Sequence, residues 1–376
     1  LNISAIEIYP VCYPMVGRFK FFEGPDGRST GRPSVLVKIT LSDGIVGWGQ
    51  SVPIPKWSYE SLESVIVTLE KYLAPCLINR EISDIAEAHL LMDQAIAGSF
   101  STGMPIAKSG IDLALHDLEG KSQGRSFAQL IGRESAESIE LSWTLNPRGI
   151  RDVESLIQQG WERGYRNFNV KVAPDPVFDL ELCRLVKKLV PEGFLWADAN
   201  CGYDLSTALS VAPKLADIGV AVLEQPLPAN RLTGYREMKK QGALPIIMDE
   251  GVVSPIDLEE FIEFGLLDGV AMKPARCGGL LSARKQIELL LNEGLMFLGS
   301  GLTDPDVSLA ASLSLFGAFD YRLPAALNGP QFLSESLLTE PLEPERGRLR
   351  VPDGPGLGVE IDQLKLESIS GKVIRL

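Results

Sequence analysis

The sequence predicts an α/β fold in which an α+β unit precedes a parallel (β/α) barrel, and three observations carry that expectation. From about Ile139 onward, short apolar runs closed by a polar residue alternate with helical stretches and glycines. The helical stretches carry one apolar face each, as Leu182, Leu185, Val186 and Leu189 do, or Ala283, Ile287, Leu290 and Leu291. The apolar runs number eight, the count that closes a barrel of the TIM type.

The α+β unit occupies residues 1–125. Strand-like runs at Ile3 to Tyr9, Ser34 to Thr40 and Gly44 to Gly47 open it, the last after a Ser42-Asp43-Gly44 turn. A helical pattern follows, in which Ile111, Ala114, Leu115 and Leu118 share one face. Asp112, His116 and Glu119 fall on the other, and Gly120 stands where a C-cap glycine is expected. The barrel is expected over residues 126–345, with strands in Leu141 to Leu145, Asn167 to Val172, Phe194 to Ala197, Val220 to Leu223, Ile246 to Met248, Val270 to Met272, Leu295 to Leu298 and Leu323 to Leu327. Residues 346–376 return to turn chemistry in Pro352-Asp353-Gly354-Pro355-Gly356 and are expected to pack back on the first unit.

A chain of 376 residues that is 45% hydrophobic can bury a large core, which argues against extensive disorder. A net charge of −13 repels phosphate backbones and argues against nucleic-acid binding. The first residues show no basic start followed by an apolar run, and no later stretch reaches the ~20 apolar residues of a membrane span. The five cysteines are scattered and never at zinc-site spacing. A cytoplasmic protein is expected, with further copies of the same chain as partners. Between Val16 and Lys38 the charge reverses locally: Arg18, Lys20, Arg28, Arg32 and Lys38 stand against Glu23 and Asp26, beside Phe19, Phe21 and Phe22. This is either a solvated loop or a flap that meets an anionic, partly apolar small molecule.

In a barrel of this kind, functional groups sit at the C-terminal ends of the strands. The second to sixth runs end in Lys171, Asp198, Glu224, Asp249 and Lys273, one per step of about 25 residues. One acid at a strand end is more often the N-cap of the next helix than a ligand. Three in register between two lysines point instead to a shared cavity. Three converging carboxylates repel one another without a cation, and an all-oxygen set suits Mg²⁺, whereas zinc would draw histidine or cysteine. Lysines on either side of a bound carboxylate could add and remove a proton on its two faces. The reaction this set predicts is abstraction of the proton beside a substrate carboxylate, with the resulting enediolate charge stabilised by the metal.

In this arrangement the sequence resembles the enolase superfamily, and within it the muconate lactonizing enzyme group. The motifs are Val170-Lys171, Asp198-Ala199-Asn200, Glu224-Gln225-Pro226, Asp249-Glu250 and Lys273-Pro274-Ala275-Arg276-Cys277-Gly278-Gly279, with PDGPGLG at Pro352 to Gly358. The resemblance implies that Asp198, Glu224 and Asp249 bind Mg²⁺ and that Lys171 and Lys273 are the acid/base pair. It makes the first unit a capping domain, completed by the C-terminal segment, whose flap from Val16 to Gly31 and loop from Pro53 to Tyr59 close over the substrate. Asn169, Asn200, Glu250, Ser300, Asp304, Asp306 and Asn328, with Arg18, Phe19, Lys20 and Trp57, are expected around the substrate or behind the ligands. Racemisation, epimerisation or cycloisomerisation is the leading outcome. Dehydration or β-elimination, and a barrel that has lost turnover, are the alternatives.

Departures from the group's pattern sharpen the reading. Asn169 stands where the group usually has the first lysine of a Lys-x-Lys pair. The only histidines, His89 and His116, precede the barrel, which excludes the His-Asp dyad of the mandelate racemase branch and leaves them as surface or interdomain residues. At the eighth strand, Ala326-Leu327-Asn328 lacks the two aspartates of dipeptide epimerases. At the seventh, Asp304 and Asp306 either contact the substrate or cap the next helix.

Overall fold

The computed structural model describes residues 1–98 and 102–376. Thirteen strands are formed among them: β1 (Ile3–Tyr13), β2 (Arg32–Leu41), β3 (Val46–Ser51), β4 (Ser138–Glu140), β5 (Ser142–Leu145), β6 (Asn167–Lys171), β7 (Leu195–Asp198), β8 (Val222–Glu224), β9 (Ile246–Met248), β10 (Gly269–Met272), β11 (Met296–Gly299), β12 (Arg348–Arg350) and β13 (Ile374–Arg375). No helix among the described residues is long and apolar enough to cross a membrane.

The first sheet is antiparallel in the order β13-β1-β2-β3. β13 enters it from the far end of the chain, with Glu7 opposite Arg375. The helix Pro105–Gln123 lies against this sheet at very short range, because β3 presents glycines to it. A Cβ at Gly49 would fall 1.8 Å from the Gly110 carbonyl oxygen, so no larger residue fits there. Both faces of this helix are covered. Asp112 is completely buried and His116 nearly so, which places the expected polar face between the two sheets. The helix also runs past Gly120 to Gly124, whose φ of 62° makes it the actual C-cap. Gly120 serves close packing instead, its α-carbon facing Gly356.

The second sheet is parallel, with seven strands in the order β11-β10-β9-β8-β7-β6-β5. Seven of the eight expected runs are therefore strands. The eighth, Leu323 to Leu327, is reduced to two bridging residues: Ala325 pairs with Leu141 and Ala326 with Ser300. Pro324 has no N–H to donate, which limits the pairing of this run. Even so, Ala325 N donates to Glu140 O (2.8 Å) and Ala326 N to Gly299 O (2.8 Å), so this short piece bridges to the chain at both edges of the curled sheet.

Alternation along the strands decides what faces inward. Leu195 and Ala197 pack outward on the helices, while Trp196 joins Val222, Ile247, Ala271, Leu298 and Ala326 in a separate apolar plug within the curl. Two residues further along each strand the same side is presented again. That step leads from the plug to Asp198, Glu224, Asp249, Lys273, Ser300 and Asn328. The functional side chains therefore rest on a dry apolar floor, at the C-terminal end of the sheet.

Candidate active site

Register aligns the strand ends: Lys171 lies opposite Asp198, and Asp198 opposite Glu224. Lys171 Nζ bonds Asp198, and Asn200 N donates to the other oxygen of Asp198 at 2.9 Å. Lys273 Nζ bonds Asp249 and lies 3.6 Å from Glu224 Oε1. Asp249 also receives Arg276 Nη1 at 2.5 Å, and its backbone N–H is held by Gln225 Oε1 at 2.8 Å. The three carboxylates and Lys273 are all buried.

Burial with so much charge perturbs Lys273, Glu224, Asp249 and Glu250. Desolvation alone would lower the Lys273 pKa, but the Asp249 and Glu224 carboxylates more than offset it and raise it. Glu224 is driven well above the usual carboxylate range by desolvation and then by the charge of Asp198. Desolvation acts the same way on Asp249, yet Lys273 and Arg276 outweigh it and hold Asp249 low. Glu250, which accepts Asn200 Nδ2 at 3.2 Å, is pushed up to about 8 by desolvation and the charge of Asp249.

The capping unit roofs this floor with aromatic rings. Phe19 stacks on Phe332 with centroids 4.9 Å apart, and Phe21 meets Phe19 edge-on at 5.4 Å. Lys171 Nζ lies 5.8 and 6.0 Å from the Phe19 and Phe21 centroids, and Lys273 Nζ 5.1 Å from that of Trp57. Each lysine is thus held between a carboxylate of the parallel sheet and a ring from the cap. The free volume between these side chains is about 30 Å³, room for no more than a couple of waters.

Of the residues expected near substrate, Asn169, Asn200, Ser300, Asn328, Phe19 and Trp57 line this cavity. Others do not. Arg18 pairs with Glu23 at 2.7 Å and donates to Asn146 O, outside the cavity wall. Lys20 sits over the Phe21 ring at 5.1 Å and does not itself line the cavity, but it lies within reach of the site's charges: burial and the Lys171 ammonium lower its pKa, against Asp198 and Glu250. Arg28 and Tyr59 are exposed. Asp306 is taken up by Tyr13 OH (2.6 Å), Ser336 Oγ (2.6 Å) and Leu337 N (2.9 Å), and Asp304 by Ser308 Oγ (3.0 Å). Both acids border a different groove, of about 760 Å³, and neither lines the cavity, although Thr303 does; among the described residues the second oxygen of Asp304 is buried without a partner, beside Gly301 of the cavity wall. Sequence reasoning did not assign Arg276, although it lies within the Lys273 to Gly279 motif. It also missed Ser142 and Thr144, which stand on the first strand and carried no charge to draw notice.

Residues 152–365 match the family model of the enolase C-terminal domain-like proteins, and residues 27–132 match the N-terminal domain of mandelate racemase and muconate lactonizing enzyme. The chain belongs to the enolase superfamily, in its muconate lactonizing enzyme group. It is 34% identical over 339 residues to chloromuconate cycloisomerase CbnB of Cupriavidus necator, covering 88% of this chain and 90% of that protein. It is 28% identical to an o-succinylbenzoate synthase of Listeria innocua, covering 91% and 90%. The solved structure of an N-succinyl Arg/Lys racemase from Bacillus cereus superposes with a TM-score of 0.91 at 25% identity, covering all of both chains.

Enolase-superfamily sites pair a lysine or histidine base with Mg²⁺. Among the described residues no group of three or more His, Cys, Asp or Glu side chains is arranged to hold a metal, since lysines occupy two of the three strand-end carboxylates. The donor chemistry nonetheless fits a hard divalent cation. Every candidate donor is an oxygen, and Glu224 Oε1, Glu250 Oε2 and Asn200 Oδ1 are buried without a hydrogen-bond partner. The residues that could hold it are Asp198, Glu224 and Asp249, once the lysines swing off their carboxylates.

Proposed function

We propose that this protein abstracts the α-proton of a small carboxylate and returns it or lets the product cyclise, as a racemase, epimerase or cycloisomerase. The observation that carries this reading is the placement of Lys171 on β6 and Lys273 just past β10, with Asp198, Glu224 and Asp249 between them. In the proposal these three acids hold one Mg²⁺, which when bound supplies positive charge to the substrate carboxylate as the α-proton leaves. Lys171 and Lys273 approach the α-carbon from opposite sides, one taking a proton and the other holding or delivering one. Phe19, Phe21 and Trp57 exclude water from the exchanging proton.

The same reading takes the parallel sheet as a closed eight-stranded barrel, supported by the bridges of Ala325 and Ala326 to the chain at both its edges. It divides the chain into a cap at 1–125, a barrel at 126–345 and a return segment at 346–376, supported by the pairing of β13 with β1. A cytoplasmic location is supported by five free thiols.

Solvent deuterium exchange at the α-carbon tests the reading, in the presence of Mg²⁺, across N-acyl amino acids, betaines, muconates and hydroxy acids. Exchange into at least one class, abolished in the Lys171→Ala, Lys273→Ala double variant, is expected. A panel with no exchange in the parent would sink it. A second reading, β-elimination after the same proton abstraction, is favoured by the synthase among the relatives. It is read out as loss of a leaving group from a substrate that exchanges.

A further inference from the structure

Asn169 stands two residues before Lys171 on β6 and therefore faces the same cavity one step deeper. Its Oδ1 accepts from Ser142 Oγ (3.1 Å) and Thr144 Oγ1 (3.0 Å), and its Nδ2 has no hydrogen-bond partner among the described residues. Asn328, at the end of the eighth run, donates from Nδ2 to the same Thr144 Oγ1 at 3.2 Å. Its Oδ1 is buried in the cavity wall with no partner among the described residues. Thr144 itself is clamped, because Gln331 Oε1 accepts from its backbone N–H (2.9 Å) and Gln331 Nε2 donates to its carbonyl (2.8 Å).

One hydroxyl proton thus couples two amides. With Thr144 donating to Asn169 and accepting from Asn328, the cavity receives one free donor, Asn169 Nδ2, and one free acceptor, Asn328 Oδ1. Turning both amides over together reverses the direction of the Thr144 hydroxyl and exchanges the two roles, yet still leaves one donor and one acceptor. A carboxylate can only accept and an ammonium can only donate, so either would leave one of the two amides unsatisfied at a buried site. An uncharged group with a donor and an acceptor side by side satisfies both.

The geometry points to Asn169, Thr144 and Asn328 as a specificity subsite that reads a secondary amide of the substrate close to its reacting carbon. This inference rests on the proton-abstraction reading above and names the substrate chemistry that reading leaves open. A second carboxylate or a free amine at this position is disfavoured, because it matches only half of the pair.

The test compares N-acetyl amino acids with their ester analogues, in which oxygen replaces the N–H: N-acetylalanine with O-acetyllactate, and N-acetylphenylalanine with O-acetylphenyllactate. Dissociation constants are measured by calorimetry on the Mg²⁺-supplemented full chain, alongside α-proton exchange. The amide is expected to bind at least about tenfold more tightly than the ester, since the ester leaves one buried polar atom unpaired. The Asn328→Leu variant should lose most of that preference. Equal binding of amide and ester by the parent overturns the subsite, as does failure of both amides to bind, and neither result depends on how the variant folds. If the esters or a dicarboxylate still exchange their α-protons, the proton-abstraction reading stands while the subsite falls. If nothing exchanges although the amides bind preferentially, the subsite stands as a binding site and the catalytic reading falls.

Discussion

Lys273 Nζ is bonded to Asp249 at the end of the parallel sheet while lying 5.1 Å from the ring centre of Trp57 in the cap, so one ammonium joins the two parts of the molecule at the cavity. A cation over an indole face is stabilised by about 0.5–2 kcal/mol, more when desolvated. Trp57→Ala is expected to lower kcat/KM by roughly tenfold, about 1.4 kcal/mol of transition-state stabilisation. Because Trp57 lies on a loop at the rim, the melting temperature should hardly move. A large drop in Tm with unchanged kinetics would assign Trp57 to folding instead.

Among the described residues, Glu224 Oε1 is a buried strand-end carboxylate oxygen with no hydrogen-bond partner. Mg²⁺ at about 100 times its Kd should stabilise the parent by about 2.7 kcal/mol, a rise readable in a thermal melt. Glu224→Gln is expected to abolish both that rise and the calorimetric binding signal. A metal titration of the variant that matched the parent would show that the cation is held elsewhere.

For a racemase, Lys171→Ala and Lys273→Ala should each leave deuterium exchange from one enantiomer only, since the lysines stand on opposite sides of the site. For a one-way reaction the two variants should instead lose activity unequally. Enantiomer-resolved NMR distinguishes the cases, and full activity in either variant would remove that lysine from the chemistry.

Both histidines converge on one buried acid. Asp112 lies 2.8 Å from His89 Nε2 and 3.3 Å from His116 Nδ1, and accepts the Leu280 N–H at 2.5 Å, where the helix that follows the Lys273 motif begins. Desolvation alone would raise Asp112, but His116 and His89 hold it well below the ordinary carboxylate value. Desolvation alone would lower His116, yet Asp112 raises it. The Asp112 contribution is present above its unfolded pKa of about 3.9 and is lost as pH falls through the depressed folded value. The His116 contribution is present below about 6.5 and is lost as pH rises through the raised folded value. A melt series should therefore show stability greatest in mild acid, with an alkaline decline that His116→Gln flattens. An unchanged slope in that variant would exclude His116 as its source.

Asp306 commits its carboxylate to Tyr13, Ser336 and Leu337, tying β1 to the segment that follows the eighth run. Asp306→Asn is expected to cost about 1–3 kcal/mol of stability with KM unchanged. A change in KM at constant Tm would return Asp306 to the substrate.

Much of the site was legible along the chain because strand period and βα spacing are local properties. Lys171, Asp198, Glu224, Asp249 and Lys273 recur at one unit's length, and the structure sets all five around one end of the sheet. The eighth run was placed correctly but not its pairing, since Pro324 confines it to two bridging residues. The flap was legible as basic and aromatic. Its division of labour was not: Phe19 faces the cavity, while Arg18 is drawn off by Glu23.

By itself, then, the sequence determined the order of elements, the family, and which residues stand at the ends of the parallel strands, because covalent spacing and side-chain alternation require no knowledge of distant neighbours. Only the tertiary structure decided which partners those residues meet. Thr144 and Asn328 are 184 residues apart yet share a hydrogen bond, and Asp112 reaches Leu280 across 168. Such contacts depend on how segments far apart in the chain pack around one core, and no local pattern encodes them.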